Sequence, residues 1–497
     1  MRITRILVTL TAAALFVFLG TAVLANDFVN NWHNWRGPNF DGSSPNGDPP
    51  IEWSETKNIK WKVEIPGEGA STPIIWGDRI VVLSAVKTDR KPGDKAVDAQ
   101  DGGDSSTDES GGEQDEPRED GGESPDPGPG LRGGPMPDPE PAPQERRGGR
   151  RGRRRPEPPT TIYEFTVHCL NKNDGSTIWK RIANEEVPHE GKHSTSTFAP
   201  SSPMTDGELL YCSFGSRGTY CYDWDGNLIW EVDLGDQRTS NTFGEGSSPV
   251  VYGDSLVHLW DHEDDSFIVC LDAKTGKERW RVARDEKTTW NTPLIIEHEG
   301  VTHVIANGSN RTRSYDLKTG KVIWECGGQV TNPIPSPMVL DGVVYCMSGY
   351  RGNAIFAIPL SARGDITDSD KIVWSRTDAA PYIASPLLYD GLIYLTKSRS
   401  GILSCLDAKT GEPHYAEVRL PETDMLYASL VGAANRVYIA ARNGRVLVLE
   451  HGKEYKLLAS NLLSEGIDAS PVVVGNELFL RGTNHLYCIA ETKKKAL

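Results

Sequence analysis

Glu245, Asn291 and Asp468 carry polar side chains that could bind a ligand, and each lies in a polar stretch just before or at a Ser-Pro or Thr-Pro step. Other groups share that position. Glu68 lies in IPGEGAS, His193 in GKHSTSTF, Asn241 with Glu245 in SNTFGEGSS, and Trp290 beside Asn291 in TTWNTP. Asn332, Tyr382 and Asp468 stand in the same place before later steps. Polar and aromatic groups converging on one concave mouth would bind a small ligand or a peptide. The competing reading is that connecting loops are polar in any case and these groups cap turns. Asp261-His262-Glu263-Asp264-Asp265 has a metal-like composition but falls in a hairpin, where it reads as a solvated loop. No metal is assigned to it. GxSxG, HExxH, phosphate-loop and dinucleotide patterns are absent, so no catalytic residue is assigned.

The elements that must position these groups follow from an internal repeat. Its cleanest copy is SSPVVYGDSLVHLW followed by FIVCLDAKTGKERWRV, from Ser247 to Val282. The opening step recurs at Thr72-Pro73, Ser202-Pro203, Ser248-Pro249, Thr292-Pro293, Ser336-Pro337, Ser385-Pro386, the degenerate Ser429-Leu430, and Ser470-Pro471. Through the undisturbed middle the starts lie 41 to 49 residues apart, room for four short strands and their turns. The apolar runs alternate, are rich in Val, Ile, Tyr and Leu, and show no helical period. Asp272 can cap its own turn, and Gly276 can take positive φ there. Trp280 then opens the outer strand, with equivalents at Trp179, Trp230, Trp324 and Trp374. One such aromatic per repeat should pack against the neighbouring repeat. The last repeat, Ser470 to Ala490, lacks a Trp strand, whereas Trp61 sits in one with no repeat before it. Joining them closes a ring. The reading is an all-β, eight-bladed β-propeller of four-stranded antiparallel blades, its last blade completed by an N-terminal strand.

The AKTGKERW unit (273–280) and its copies resemble the PQQ-like propeller repeats, a superfamily that includes quinoprotein alcohol dehydrogenases and the BamB-type assembly proteins. The resemblance runs from Asn31 to Ala490 apart from one insertion. The opening Trp35-Arg36-Gly37-Pro38-Asn39 with Asp41-Gly42 is similar to the leader of exported PQQ-like proteins. The quinoprotein branch implies PQQ with Ca²⁺, a vicinal disulfide, a Trp beneath the quinone, and Glu, Asn and Asp ligands. Here no Cys-Cys pair or CxxCH motif occurs, and Trp290, Glu245, Asn291 and Asp468 lie in no matching motif, so no cofactor is expected.

Arg2 and Arg5, the apolar run Ile6–Leu24 and small residues up to Ala25 read as a Sec-type signal peptide covering 1–25, with a periplasmic or otherwise extracytoplasmic destination. No Cys follows it, so lipoprotein anchoring is not expected, and no later stretch is apolar enough to span a membrane. A leader at 26–57 should pack on the propeller at 58–490, and 491–497 is a tail. An insertion at 87–160, within the first blade, is rich in Gly, Pro and charge and should be disordered. It holds twelve acidic residues between Asp98 and Asp126 and seven arginines between Arg146 and Arg155. That segregation suits a tether to an anionic surface or two halves that pair with each other. Net charge −16 argues against nucleic acid. Of the eight cysteines, Cys169, Cys270, Cys405 and Cys488 share one strand setting and read as free core thiols. Cys212 and Cys221 flank a turn at Ser216-Arg217 across which they could face each other and bridge, though free core thiols are the expected state. The expected role is a monomeric, non-catalytic scaffold binding an envelope protein, peptide or glycan; the alternative is a quinone- or metal-dependent oxidoreductase working at the channel mouth.

Overall fold

The computed structural model describes residues 27–94 and 155–491. The segment read as a signal peptide, most of the insertion and most of the C-terminal tail lie outside the described residues. Residues 1–92 and 155–497 make up one unit, and 93–154 the other.

The first unit is an eight-bladed propeller. Blade 1 runs Ile74–Trp76, Arg79–Lys87, Tyr163–Asn171 and Thr177–Glu186; blade 3 runs Val250–Tyr252, Ser255–Trp260, Phe267–Asp272 and Glu278–Ala283. Each blade is antiparallel, with neighbouring strands joined by short turns in all but blades 1, 5 and 8. In blade 1 the ladder between the second and third strands extends to Lys87 opposite Tyr163. Thr88 and Arg90 prolong it through Ile162, and Arg90 pairs with Glu164 and Glu185. The base of the insertion therefore carries more order than its composition suggests.

Ring closure is shared by the two ends of the chain. Ile59–Glu64 pairs antiparallel with His485–Ile489, Trp61 standing opposite Cys488, and completes blade 8. Each of the eight blades thereby has its four strands.

Two repeated contacts lock blade to blade. The first explains the Thr-Gly turn and the outer-strand tryptophan together. Indole N–H groups of Trp61, Trp179, Trp230, Trp280 and Trp374 donate to the carbonyls of Lys172, Trp224, Ala273, Leu317 and Ala408 on the following blade, at 2.8–3.0 Å. In that same turn Gly276 has φ +68°, and an added Cβ would sit 2.8 Å from the Trp230 ring. Glycine is required twice over there, by backbone sign and by the indole face. Trp324 is the exception. It is fully buried with its N–H unpartnered, because blade 5 replaces the usual turn with a loop. Gly364–Asp365 of that loop instead runs parallel along the Trp324 strand.

The second contact is a closed hydrogen-bonded ring. The backbone N–H of Thr72 donates to the Ser202 hydroxyl, and the pattern continues through Ser248, Thr292, Ser336, Ser385, Ser429 and Ser470 back to Thr72, at 2.9–3.2 Å. The hydroxyl in each Ser-Pro or Thr-Pro step is thus the acceptor for the preceding blade. Leu430 can replace proline in blade 7 because the ring uses only the serine before it.

The leader enters the axis from the opposite end to the loops that precede these steps. Trp32 bridges to Ile75, and Ser43–Ser44 adds a parallel strand to the inner edge of blade 7. Arg36 is fully enclosed. Its guanidinium donates to the carbonyls of Asp41, Pro386 and Leu430, and burial lowers its pKa to about 10 against the pull of Asp41. The Trp-Arg-Gly-Pro-Asn segment is therefore a plug.

All eight cysteines are buried and free. Cys221 lies opposite Tyr211 and Cys212 opposite Tyr220, so the two sulfurs project from opposite faces of blade 2 and no bridge can form. Burial raises their pKa, that of Cys221 to about 12.

Candidate functional site

Loops entering the first strands gather at one end of the channel, joined by the hairpins between second and third strands. Isolated bridges tie the two sets together: Pro381 to Ser398, Ser400 to Met425 and Ile467 to Gly482. At this end a cavity of about 140 Å³ lies on the axis. The ring of Ser and Thr residues lines its wall, and Trp35 of the plug meets it from below. Trp290, Ile334, Ile383, Tyr427 and Asp468 form its rim.

Only two of the nine candidates, Trp290 and Asp468, line this cavity. Trp290 donates its indole N–H to Gly244 at 2.6 Å, which turns its ring along the wall. Asp468 is gripped by Arg442 at 2.6 and 3.1 Å, and burial holds its pKa above the ordinary carboxylate value despite that partner. Tyr382 stands close by, stacked on Tyr350 with centroids 4.8 Å apart; burial pushes its hydroxyl up to about 12.

The other candidates serve the loops. Glu245 accepts the Ser216 backbone N–H at 2.8 Å and the Ser216 hydroxyl, in a separate small pocket with His189 and Arg217. Burial raises its pKa, opposed by those bonds and the nearby cations. Asn291 is fully buried and pairs through its amide with the backbone of Asn307. Glu68 accepts the Phe198 N–H and pairs with Lys192 at 3.1 Å. Asn241 and Asn332 take positive φ in turns, Asn241 exposed. His193 bonds Thr195, whose hydroxyl reaches Tyr427 at 3.2 Å, so the blade 2 loop extends to blade 7. Glu245, Asn291 and Asp468 therefore do not meet.

Asp261 and His262 depart from the solvated-loop reading. Both are buried, and Asp261 forms a fully enclosed pair with Arg284 at 2.7 Å, extended to Thr289 and, through Arg284, to Tyr315. Asp264, paired with Arg238, and Asp265 are exposed as the solvated-loop reading expects.

Sequence reasoning missed the arginines of this end. Arg351, Arg399 and Arg442 lie in the hairpin between second and third strands of blades 5 to 7, and Arg481 ends the second strand of blade 8, each within three residues of a glycine. That recurrence was a readable signal, but it lies outside the Ser-Pro register used to find the loops.

PQQ with Ca²⁺ does not fit the groups present. The three oxygen donors of suitable type are bound elsewhere, to Ser216, Asn307 and Arg442, and among the described residues no three His, Cys, Asp or Glu side chains can share a metal.

The blades, the tryptophan locks and the axial cavity define a PQQ-like β-propeller. A family model described as outer membrane protein assembly factor BamB matches residues 164–417, half of the chain, and the protein belongs to this family. A europium-containing methanol dehydrogenase is 9% identical with a TM-score of 0.56, over 93% of this chain and 98% of that one. Quinohemoprotein alcohol dehydrogenase ADHIIG from Pseudomonas putida HK5 is 10% identical with a TM-score of 0.54, over 95% and 82%. BamB from Moraxella catarrhalis is 15% identical with a TM-score of 0.47, over 67% and 95%. At such identities the likeness is one of fold. No curated protein matches the sequence.

Proposed function

We propose that the protein is a non-catalytic, exported propeller that presents its loop face and channel mouth to an envelope protein, peptide or glycan. The observation that carries this reading is the axial cavity, open toward the loops, rimmed by Trp290 and Tyr427 and closed below by Trp35. Aromatic groups fixed by their own hydrogen bonds form a preorganised contact surface. The family description fits a scaffold role, and no helix among the described residues is long and apolar enough to cross a membrane.

Capture from an envelope extract tests it. A partner held by the wild-type chain and lost with Tyr382→Ala/Tyr427→Ala supports the loop face; a partner retained by that variant moves the interface elsewhere. The oxidoreductase alternative is tested by titrating PQQ with Ca²⁺ and following Tm. No saturable rise is expected, and a rise abolished by Glu245→Gln would restore it.

A further inference from the structure

The loop end of blades 5 to 8 is rich in arginine within a chain of net charge −16. Arg351, Arg399 and Arg442 stand in the hairpins between second and third strands of blades 5 to 7, and Arg481 ends the second strand of blade 8. Arg442 is balanced by Asp468 and lies over the Tyr427 ring at 4.4 Å. The others have no ion pair among the described residues. Arg351 is exposed above Tyr350, Arg399 is exposed beside Tyr382, and Arg481 is buried with only Ser71 oxygens as acceptors. Ser71 lies between Ala70 and Thr72, both of which line the cavity. A buried cation without a counter-charge is costly, which makes Arg481 the most informative of the four. Most carboxylates of the adjoining loops are already engaged: Asp378 by Arg376, Glu422 by Arg445 and Glu465 by His485. Asp424 remains beside Arg442, so four arginines face two carboxylates.

The ring hydroxyls have the same bias. Each oxygen already accepts a backbone N–H, and none donates its own proton to an acceptor among the described residues. What they offer the cavity is donors, eight of them, beneath a rim of Trp290, Ile334, Ile383 and Tyr427 whose one carboxylate, Asp468, is engaged by Arg442. A ligand that suits this arrangement ends in an acceptor anion and carries a slender apolar stem past Ile334, Ile383 and Trp290.

We infer that the axial cavity receives a carboxylate at the end of a narrow chain, supplied by a peptide C-terminus or a small carboxylic acid. The inference rests on the loop-face reading above and specifies its ligand chemistry. The arginines would gather such ligands, and the hydroxyl ring would hold the carboxylate in place of water.

Calorimetric titration tests it with acetyl-Gly-Gly-Leu as free acid and as amide, alongside 4-methylpentanoate. The free acid should bind about tenfold more tightly than the amide, and added salt should weaken it. Arg351→Gln/Arg399→Gln changes only exposed side chains, so folding is kept, and should remove most of the acid's advantage while leaving the amide unchanged. Binding of 4-methylpentanoate as tight as that of the tripeptide assigns the site to small acids; weaker binding assigns it to a peptide end. Equal affinity of acid and amide overturns carboxylate recognition. Absence of binding by all three overturns it too, and the loop-face reading then stands or falls separately on whether Tyr382→Ala/Tyr427→Ala releases the envelope partner.

Discussion

His33, His168, His258 and His303 are buried imidazoles tied to an amide or hydroxyl: Asn34, Ser84, Thr219 and Ser314 respectively. Desolvation lowers each pKa, to about 3 for His168 and about 4 for the others, from an ordinary 6.5. Below pH 6.5 the unfolded chain therefore binds protons that the folded chain refuses. The contribution of these residues is whole above that pH and is lost as pH falls toward 4. Denaturant midpoints measured from pH 7 to 4 should drop steeply across this window. Replacing His258 by Gln should flatten the slope, and an unchanged slope would mean that the imidazole protonates without cost. The same scale shows where residue type misled. Glu245 and Asn291 have ligand chemistry, but polarity does not reveal direction, and both oxygens turn back into loop backbone. Asp261 looked solvated because its partner, Arg284, lies 23 residues away at the end of another strand.

Among elements, the outer strand and the Thr-Gly turn are two halves of one joint. Trp280→Ala should cost about 3 kcal/mol, since it removes a large packed ring and its bond to Leu317. Gly320→Ala should also destabilise, because Gly320 has φ +70° and its Cβ would meet Trp280 at 2.9 Å. Chemical denaturation of the two single variants and the double checks the pairing. Losses that add fully would mean the residues do not share a joint. Much of this was legible in advance: the spacing of Trp and Gly located blades, and the missing Trp strand after Ser470 located the closing strand. The hydroxyl ring was spelled out in every Ser-Pro step yet its purpose was hidden, because each acceptor serves a different blade. The plug was hidden for the same reason, with Arg36 meeting carbonyls 350 and 394 residues away.

At the scale of the molecule, thermal resistance and resistance to pulling should part company. Every blade is locked to two neighbours, so heat must disrupt many joints together. The closing ladder in blade 8 is different. Ile59 stands opposite Ile489 and Glu64 opposite His485, so both chain ends leave the ladder at the same edge. Tension applied between residues 27 and 491 first strips the plug and then loads that edge, opening the pairs one after another instead of shearing them together. In single-molecule stretching, a low-force event releasing the N-terminal segment should precede the remaining blades. A single high-force rupture would show that the seam is loaded in shear. A toroid held so evenly against heat would then behave, toward a puller at its two ends, as a zip fastener with the tab already exposed.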